Sequence, residues 1–297
     1  MFASFLITLR EGLEAFLLVG ICLSYLSKLN ASRFNKYVYA GVGVGLIASL
    51  VVAFLFQVVI DQFHNEHYRN LLMAGILIFA TVVLSSMALW MSKQGKNKSD
   101  QMKENVEQLV NGEKALGLAF LAFLAVMREG FETVLFFSAL VYSGQGITLQ
   151  SGMSGAILGL VLAFVLVWAL MRSTRKVPLR SFFKWSSLLI MLIAAGLLSS
   201  AVNMLQAANW IPMVYAPLFD ITHGLDLIQQ SLQSTFGSNG LTVTIDAALR
   251  SVLDDRALIG TFLRALFGYN SSPGLLQLLA WAFYLLFFGA LWRRQYR

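Results

Sequence analysis

Apolar residues run in seven membrane-length stretches, about 3–27, 37–60, 69–92, 115–143, 152–171, 183–208 and 274–292, with polar segments between them. A spanning helix needs roughly 20 mainly apolar residues. The pattern therefore predicts an all-α polytopic membrane protein with seven transmembrane helices. Residues 209–273 break the rhythm. They hold turn residues (Gly237-Ser238-Asn239-Gly240) and an amphipathic stretch, Ile245 to Phe267, that predicts a helix lying on the membrane face. The first stretch has no basic residues ahead of its apolar run, because Arg10 lies within it. It reads as a retained helix, not a cleaved leader.

Composition agrees with this pattern. The chain is 58% hydrophobic and 12% charged, whereas a soluble domain is about one quarter charged. A net charge of +7 would suit nucleic acid if the cations clustered on a soluble face, but they sit at the ends of the apolar stretches. Nucleic acid is not an expected partner; the lipid bilayer is. Sixteen of the 22 Lys and Arg residues fall on one side: in the loops around 28–36, 93–114 and 172–184, and in the C-terminal tail. By the positive-inside rule the N-terminus is outside and the C-terminus cytoplasmic, in the cytoplasmic (inner) membrane. The single cysteine, Cys22, excludes an intrachain disulfide.

Four of the fifteen acidic residues lie inside the apolar stretches, in two copies of one motif: Arg10-Glu11-Gly12-Leu13-Glu14 and Arg128-Glu129-Gly130-Phe131-Glu132. A charge at the bilayer centre costs on the order of 2.5–3.5 kcal/mol, so such residues mark function. Aligning 5–26 with 123–144 matches Phe5 with Phe123, Leu6 with Leu124, and Leu17 with Leu135. Glycines recur in the second and fifth helices (Gly41, Gly43, Gly45; Gly152, Gly155, Gly159), where ordinary small-residue packing is the expected role. Leu84-Ser85-Ser86 in the third helix matches Leu198-Ser199-Ser200 in the sixth. The first and fourth helices enter from opposite sides. The chain is therefore predicted to be a 3+3 inverted-topology repeat plus one C-terminal helix, with substrate near the midplane. The implied units are 1–92, a cytoplasmic loop 93–114, a second repeat 115–208, an external segment 209–273, and the seventh helix with its basic tail, 274–297.

At ~100° per residue, Arg10, Glu11 and Glu14 project within one quadrant of their helix. An antiparallel copy crossing at the centre would bring four carboxylates to one volume. Carboxylate oxygens suit hard cations. Four Glu and two Arg sum to −2, so a divalent ion would neutralise the group and a trivalent ion would leave +1. Ions entering such a site displace protons, one route to proton coupling. Each arginine can pair with the glutamate four residues on, limiting free charge in the empty site.

Two Arg-Glu-Gly-x-Glu motifs on the first and fourth of seven helices resemble the oxidase-dependent high-affinity iron permease family, most closely its bacterial Efe-type members. The stretches 5–15, Phe183-Lys184-Trp185-Ser186-Ser187, Ala194-Ala195-Gly196-Leu197 and Leu266-Phe267-Gly268-Tyr269 add to the likeness. The resemblance implies an iron permease without a permanent cofactor. In it Glu11, Glu14, Glu129 and Glu132 would coordinate ferric or ferrous iron in passage, with Arg10 and Arg128 beside them. It also implies an extracytoplasmic iron-binding or iron-oxidising partner. The external Asp-Ala-Ser-Glu string of fungal members is absent.

Two external clusters could capture metal: Asp61, His64, Glu66 and His67, and Asp220, His223 and Asp226. Neither has a standard ligand spacing, and solvated loop residues would look the same. On the cytoplasmic side, Asp100, Glu104 and Glu107 among lysines read as a solvated helix. Two other functions compete. One is a proton-coupled transporter of another divalent metal ion; the other is a membrane-embedded di-iron redox enzyme. Di-iron bundles use Glu-x-x-His on two helices, and none of the three histidines lies in an apolar stretch, which disfavours the enzyme.

Overall fold

The computed structural model of the chain describes residues 2–62, 65–94, 97–143, 149–172, 179–212 and 273–296, together with 226–228, 230, 231, 234 and 263. Every regular element among these is helical, as membrane burial requires, because a helix satisfies its own backbone hydrogen bonds. The long helices are α1 (Phe2–Lys28), α2 (Asn35–Asp61), α3 (Glu66–Gln94), α4 (Asn97–Asn111), α5 (Ala115–Tyr142), α6 (Leu149–Arg172), α7 (Leu179–Ala207) and α8 (Leu275–Tyr296). Five of them, α2, α3, α6, α7 and α8, are long and apolar enough to cross a membrane. Helices α1 and α5 are as long, but each carries a motif's three charges near its middle. The stretch from Ile245 to Phe267 lies outside the described residues, apart from Leu263.

Large apolar side chains face outward. Leu116 is 79% exposed, Leu286 75% and Leu50 71%. A water-soluble surface does not carry apolar patches on this scale, so the molecule is a multi-pass membrane protein that presents these faces to lipid.

Inside, the helices pair. Helix α1 packs along α6, α2 along α5 and α3 along α7; α1 and α5 meet between these pairs, and α8 lies against α7 and α3. Glycines set the closest approaches. A Cβ on Gly41 would overlap the carbonyl oxygen of Ala119, and one on Gly45 would stand 3.1 Å from Val126 Cβ. In the other pair, a Cβ on Gly159 would meet the Phe5 carbonyl oxygen at 2.5 Å and Thr8 Cβ at 3.3 Å. Packing is thus what these glycines do, while Gly43 faces open space.

The largest core joins α1, α3, α5, α7 and α8 through Ile7, Leu84, Phe136, Ile193 and Tyr284. Polar groups within it are paired, as hydrocarbon surroundings demand. Ser85 donates to the Thr81 carbonyl at 2.5 Å, so at its 2.5 Å contact with Tyr284 the phenol is the donor. Near the start of α8, Gln277 donates to Asn203 (3.1 Å) and Gln206 (3.2 Å) of α7.

A smaller core around Cys22, Leu26, Phe34 and Leu118 is closed by α4. The mixed charges of α4 suggested a solvated helix. Its polar side is exposed, but Val106 is fully buried, and Glu107 accepts a 2.8 Å hydrogen bond from Tyr25 of α1. Helices α1, α4 and α7 end alike: a residue with φ near +50° (Asn30, Glu113, Asn209) is followed by an amide bonded five residues back, to Leu26, Leu109 and Leu205 respectively. This closure caps the last carbonyls without glycine.

Candidate metal site

Both motifs fall near the middles of their helices, and α1 and α5 meet there. One oxygen each from Glu11, Glu129 and Glu132 lies within 4.8 Å of the others, a spacing that could hold a metal ion. Among the described residues this is the group of acidic side chains that meets that spacing. The Oε2 atoms of Glu11, Glu129 and Glu132 are buried and receive no hydrogen bond from the protein. Buried polar oxygens are costly without a partner. A cation among them would supply that partner.

Glu14 stands outside the trio. Its Oε1 lies 3.5 Å from Arg10 Nη2, while Arg10 Nη1 lies 3.1 Å from Glu11 Oε1. Arg10 is fully buried, and its Nη1 also donates to the Met87 sulfur of α3 at 3.3 Å. Arg128 occupies the same place in the second motif with a different outcome. Its Nε contacts Glu132 Oε1 at 3.0 Å, and its side chain is 47% exposed. Two motifs that differ only at Leu13 and Phe131 thus have unlike surroundings.

The motif glycines let a third and fourth helix reach the site. A Cβ on Gly130 would overlap the Ser49 hydroxyl of α2, and one on Gly12 would lie 3.0 Å from Ala163 Cβ of α6. Ser49 is buried and donates to the Gly45 carbonyl. Gly130→Ala is expected to push α2 away and shift Glu129 and Glu132, so transport falls by at least about 10-fold, the scale of disturbing groups around a metal. Adding Ser49→Gly, which clears the space, restores much of it. The check is uptake by both variants at matched protein levels; a fully active Gly130→Ala protein would disprove the contact's importance.

Sequence reasoning missed Ser49 and Met87. Ser49 had a faint signal, a hydroxyl four residues past a glycine in an apolar run. Met87 had none. Of the proposed capture residues, the structure describes the side chains of Glu66, His67 and Asp226. Glu66 and His67 are exposed on the first turn of α3, where His67 N–H donates to Asn65 Oδ1, and Asp226 is exposed elsewhere. Asp61 ends α2, but its side chain lies outside the described set, as do His64, Asp220 and His223.

Fold and site together define a multi-pass helical membrane protein with a buried carboxylate cluster. Comparison with known proteins places it more narrowly: the chain belongs to the Iron permease FTR1 family, which matches residues 1–295. It is 30% identical to the Ferrous iron permease EfeU of Yersinia pestis over 288 residues, covering 96% of this chain and 91% of that one. Its likeness to the Ferrous iron permease EfeU of Escherichia coli O6:H1 is 29% over 289 residues, covering 96% and 93%. No solved structure matches. Members of this family are permeases, so the chain is a transporter and not a di-iron enzyme.

Proposed function

We propose that iron ions cross the cytoplasmic membrane through the cluster at the α1–α5 crossing, with Glu11, Glu129 and Glu132 as ligands. In this reading Glu14 is the fourth motif carboxylate, and Arg10 and Arg128 are the fixed counter-charges. The observation that carries it is the convergence of three buried carboxylates from two motifs 118 positions apart in sequence. The relatives' names, ferrous iron permeases, supply the cargo. All ligands are hard oxygens, which suit iron and disfavour soft copper chemistry.

The 3+3 inverted repeat is part of this proposal, with seven spans, the N-terminus outside and the C-terminus cytoplasmic. Its support is contact equivalence. Exchanging the two halves turns the α1–α6 pair into α5–α2, and turns Gly159 against Phe5 and Thr8 into Gly45 against Phe123 and Val126. Likewise Gly12 against Ala163 becomes Gly130 against Ser49. Inverted repeats of this kind carry substrate at the interface between halves. The division of the chain into two repeats, a cytoplasmic loop, an external segment and a terminal helix follows from it. Glu66 and His67 at the outer end of α3 would then face an extracytoplasmic partner that delivers iron.

The test is uptake of labelled iron by purified protein in proteoliposomes, supplied as Fe(II) under reductant and as chelated Fe(III), with Mn(II), Zn(II) and Co(II) as competitors. Iron should enter and the competitors in excess should inhibit weakly. Preferred entry of another divalent ion would overturn the choice of cargo.

A further inference from the structure

Resting on the reading of the carboxylate cluster as the transport site, we infer that the two motif arginines are tethered counter-ions that trade places during transport. Each access state would then use three of the four glutamates. In the arrangement seen, fully buried Arg10 engages Glu11 and Glu14, and Glu14 is outside the trio of Glu11, Glu129 and Glu132. The half-exposed Arg128 meets Glu132 from its edge and leaves it within the trio. The exchanged state has Arg128 drawn inward across Glu129 and Glu132, Arg10 moved outward, and Glu14 in place of Glu132 as the third ligand. Glu11 and Glu129 serve in both states.

The asymmetry is local and has a visible cause. The neighbours of the second motif are open: Phe131 is 43% exposed where its counterpart Leu13 is 2%, and Leu124 is 48% exposed. Met87 anchors Arg10 from α3. Extending the Leu84-Ser85-Ser86 and Leu198-Ser199-Ser200 match by one position puts Ala201 where Met87 stands in the other half. Alanine offers no sulfur acceptor and does not reach as far. Met87 is therefore a positioning residue that biases the resting protein toward the state with Arg10 inside. The exchange also keeps charge in the membrane nearly constant, because one arginine is always buried against the carboxylate left out of the trio. An uncompensated carboxylate there is expensive.

The two outer glutamates should then behave differently, although both motifs read Arg-Glu-Gly-x-Glu. Equilibrium binding of Fe(II) under anaerobic conditions, with Mn(II) as a second probe, is measured on the full chain in detergent, and uptake is measured in proteoliposomes. Glu132→Gln should weaken binding by at least about 10-fold, as loss of a metal-site group does. Glu14→Gln should bind within a few-fold of wild type, and both variants should transport poorly. Because Glu14→Gln deprives buried Arg10 of a partner and can misfold, the charge-keeping pair Glu14→Asp and Glu132→Asp is measured alongside it, with thermal melts as the folding check. Met87→Ala should narrow the difference between the two positions. Equal weakening at 14 and 132, no weakening at either, or a larger loss at 14 overturns the exchange. Normal transport by Glu11→Gln and Glu129→Gln would instead overturn the site itself, so the two failures are distinct.

Discussion

Glu11→Gln and Glu129→Gln should each reduce iron uptake by at least ~100-fold, because groups even one step removed from a metal are worth about 10–100-fold. Glutamine keeps the size of the side chain and one oxygen but removes the charge that holds the cation. These two positions are chosen because their oxygens sit within the 4.8 Å trio and come from different helices. Glu11→Gln has a second consequence. It removes one of two carboxylates beside the fully buried Arg10, at 3.1 Å, and leaves Glu14 at 3.5 Å. Breaking a buried ion pair outright costs about 3–5 kcal/mol; with Glu14 still present the loss should be smaller, and the protein should fold. Uptake of labelled iron, normalised to folded protein by size-exclusion, separates lost transport from lost fold. Normal uptake by both variants would remove the basis for assigning the site.

Gly41→Ala and Gly159→Ala should be strongly destabilising, because each added carbon meets backbone of a neighbouring helix, while Gly43→Ala should be nearly silent. At Gly41 the added carbon overlaps the Ala119 backbone carbonyl, and at Gly159 it meets the Phe5 carbonyl and the Leu9 amide. Backbone cannot rotate aside as a side-chain tip can, so whole helices must separate. Overpacking typically costs 1–3 kcal/mol and occasionally more; here we expect at least ~3 kcal/mol. Gly43 has nothing within 4 Å. Thermal unfolding in detergent, read by tryptophan fluorescence, ranks the three. Equal melting temperatures for Gly41→Ala and Gly43→Ala would mean that α2 and α5 are not in contact at this point.

Much of the architecture was legible because apolar run length and helix length are the same physical constraint. The seven runs each became one helix, with ends displaced by up to four residues, as at α7, which starts at Leu179 where 183 was expected. The glutamates stood out because charge is costly where they lie, and doubling made coincidence improbable. What the motif strings could not reveal is which carboxylates meet. Arg10 and Arg128 sit in the same short sequence, yet one is sealed by Met87 and the other half open. That difference comes from helices remote in sequence. Helix α4 misled for a related reason: its charges describe the side facing water, and one buried valine, Val106, docks it.

Helix α8 stands outside the paired halves, yet it is fastened at two heights, by Tyr284 to Ser85 and by Gln277 to Asn203 and Gln206. With α3 and α7 it makes a braced keel. The α2–α5 pair has its own tie, Tyr142 of α5 donating to Gln57 of α2 at 2.7 Å, and α1 and α5 share the apolar core of α3, α7 and α8. The sulfur that meets Arg10 belongs to the keel, so a motif arginine of the first helix is held by an element that α8 fastens.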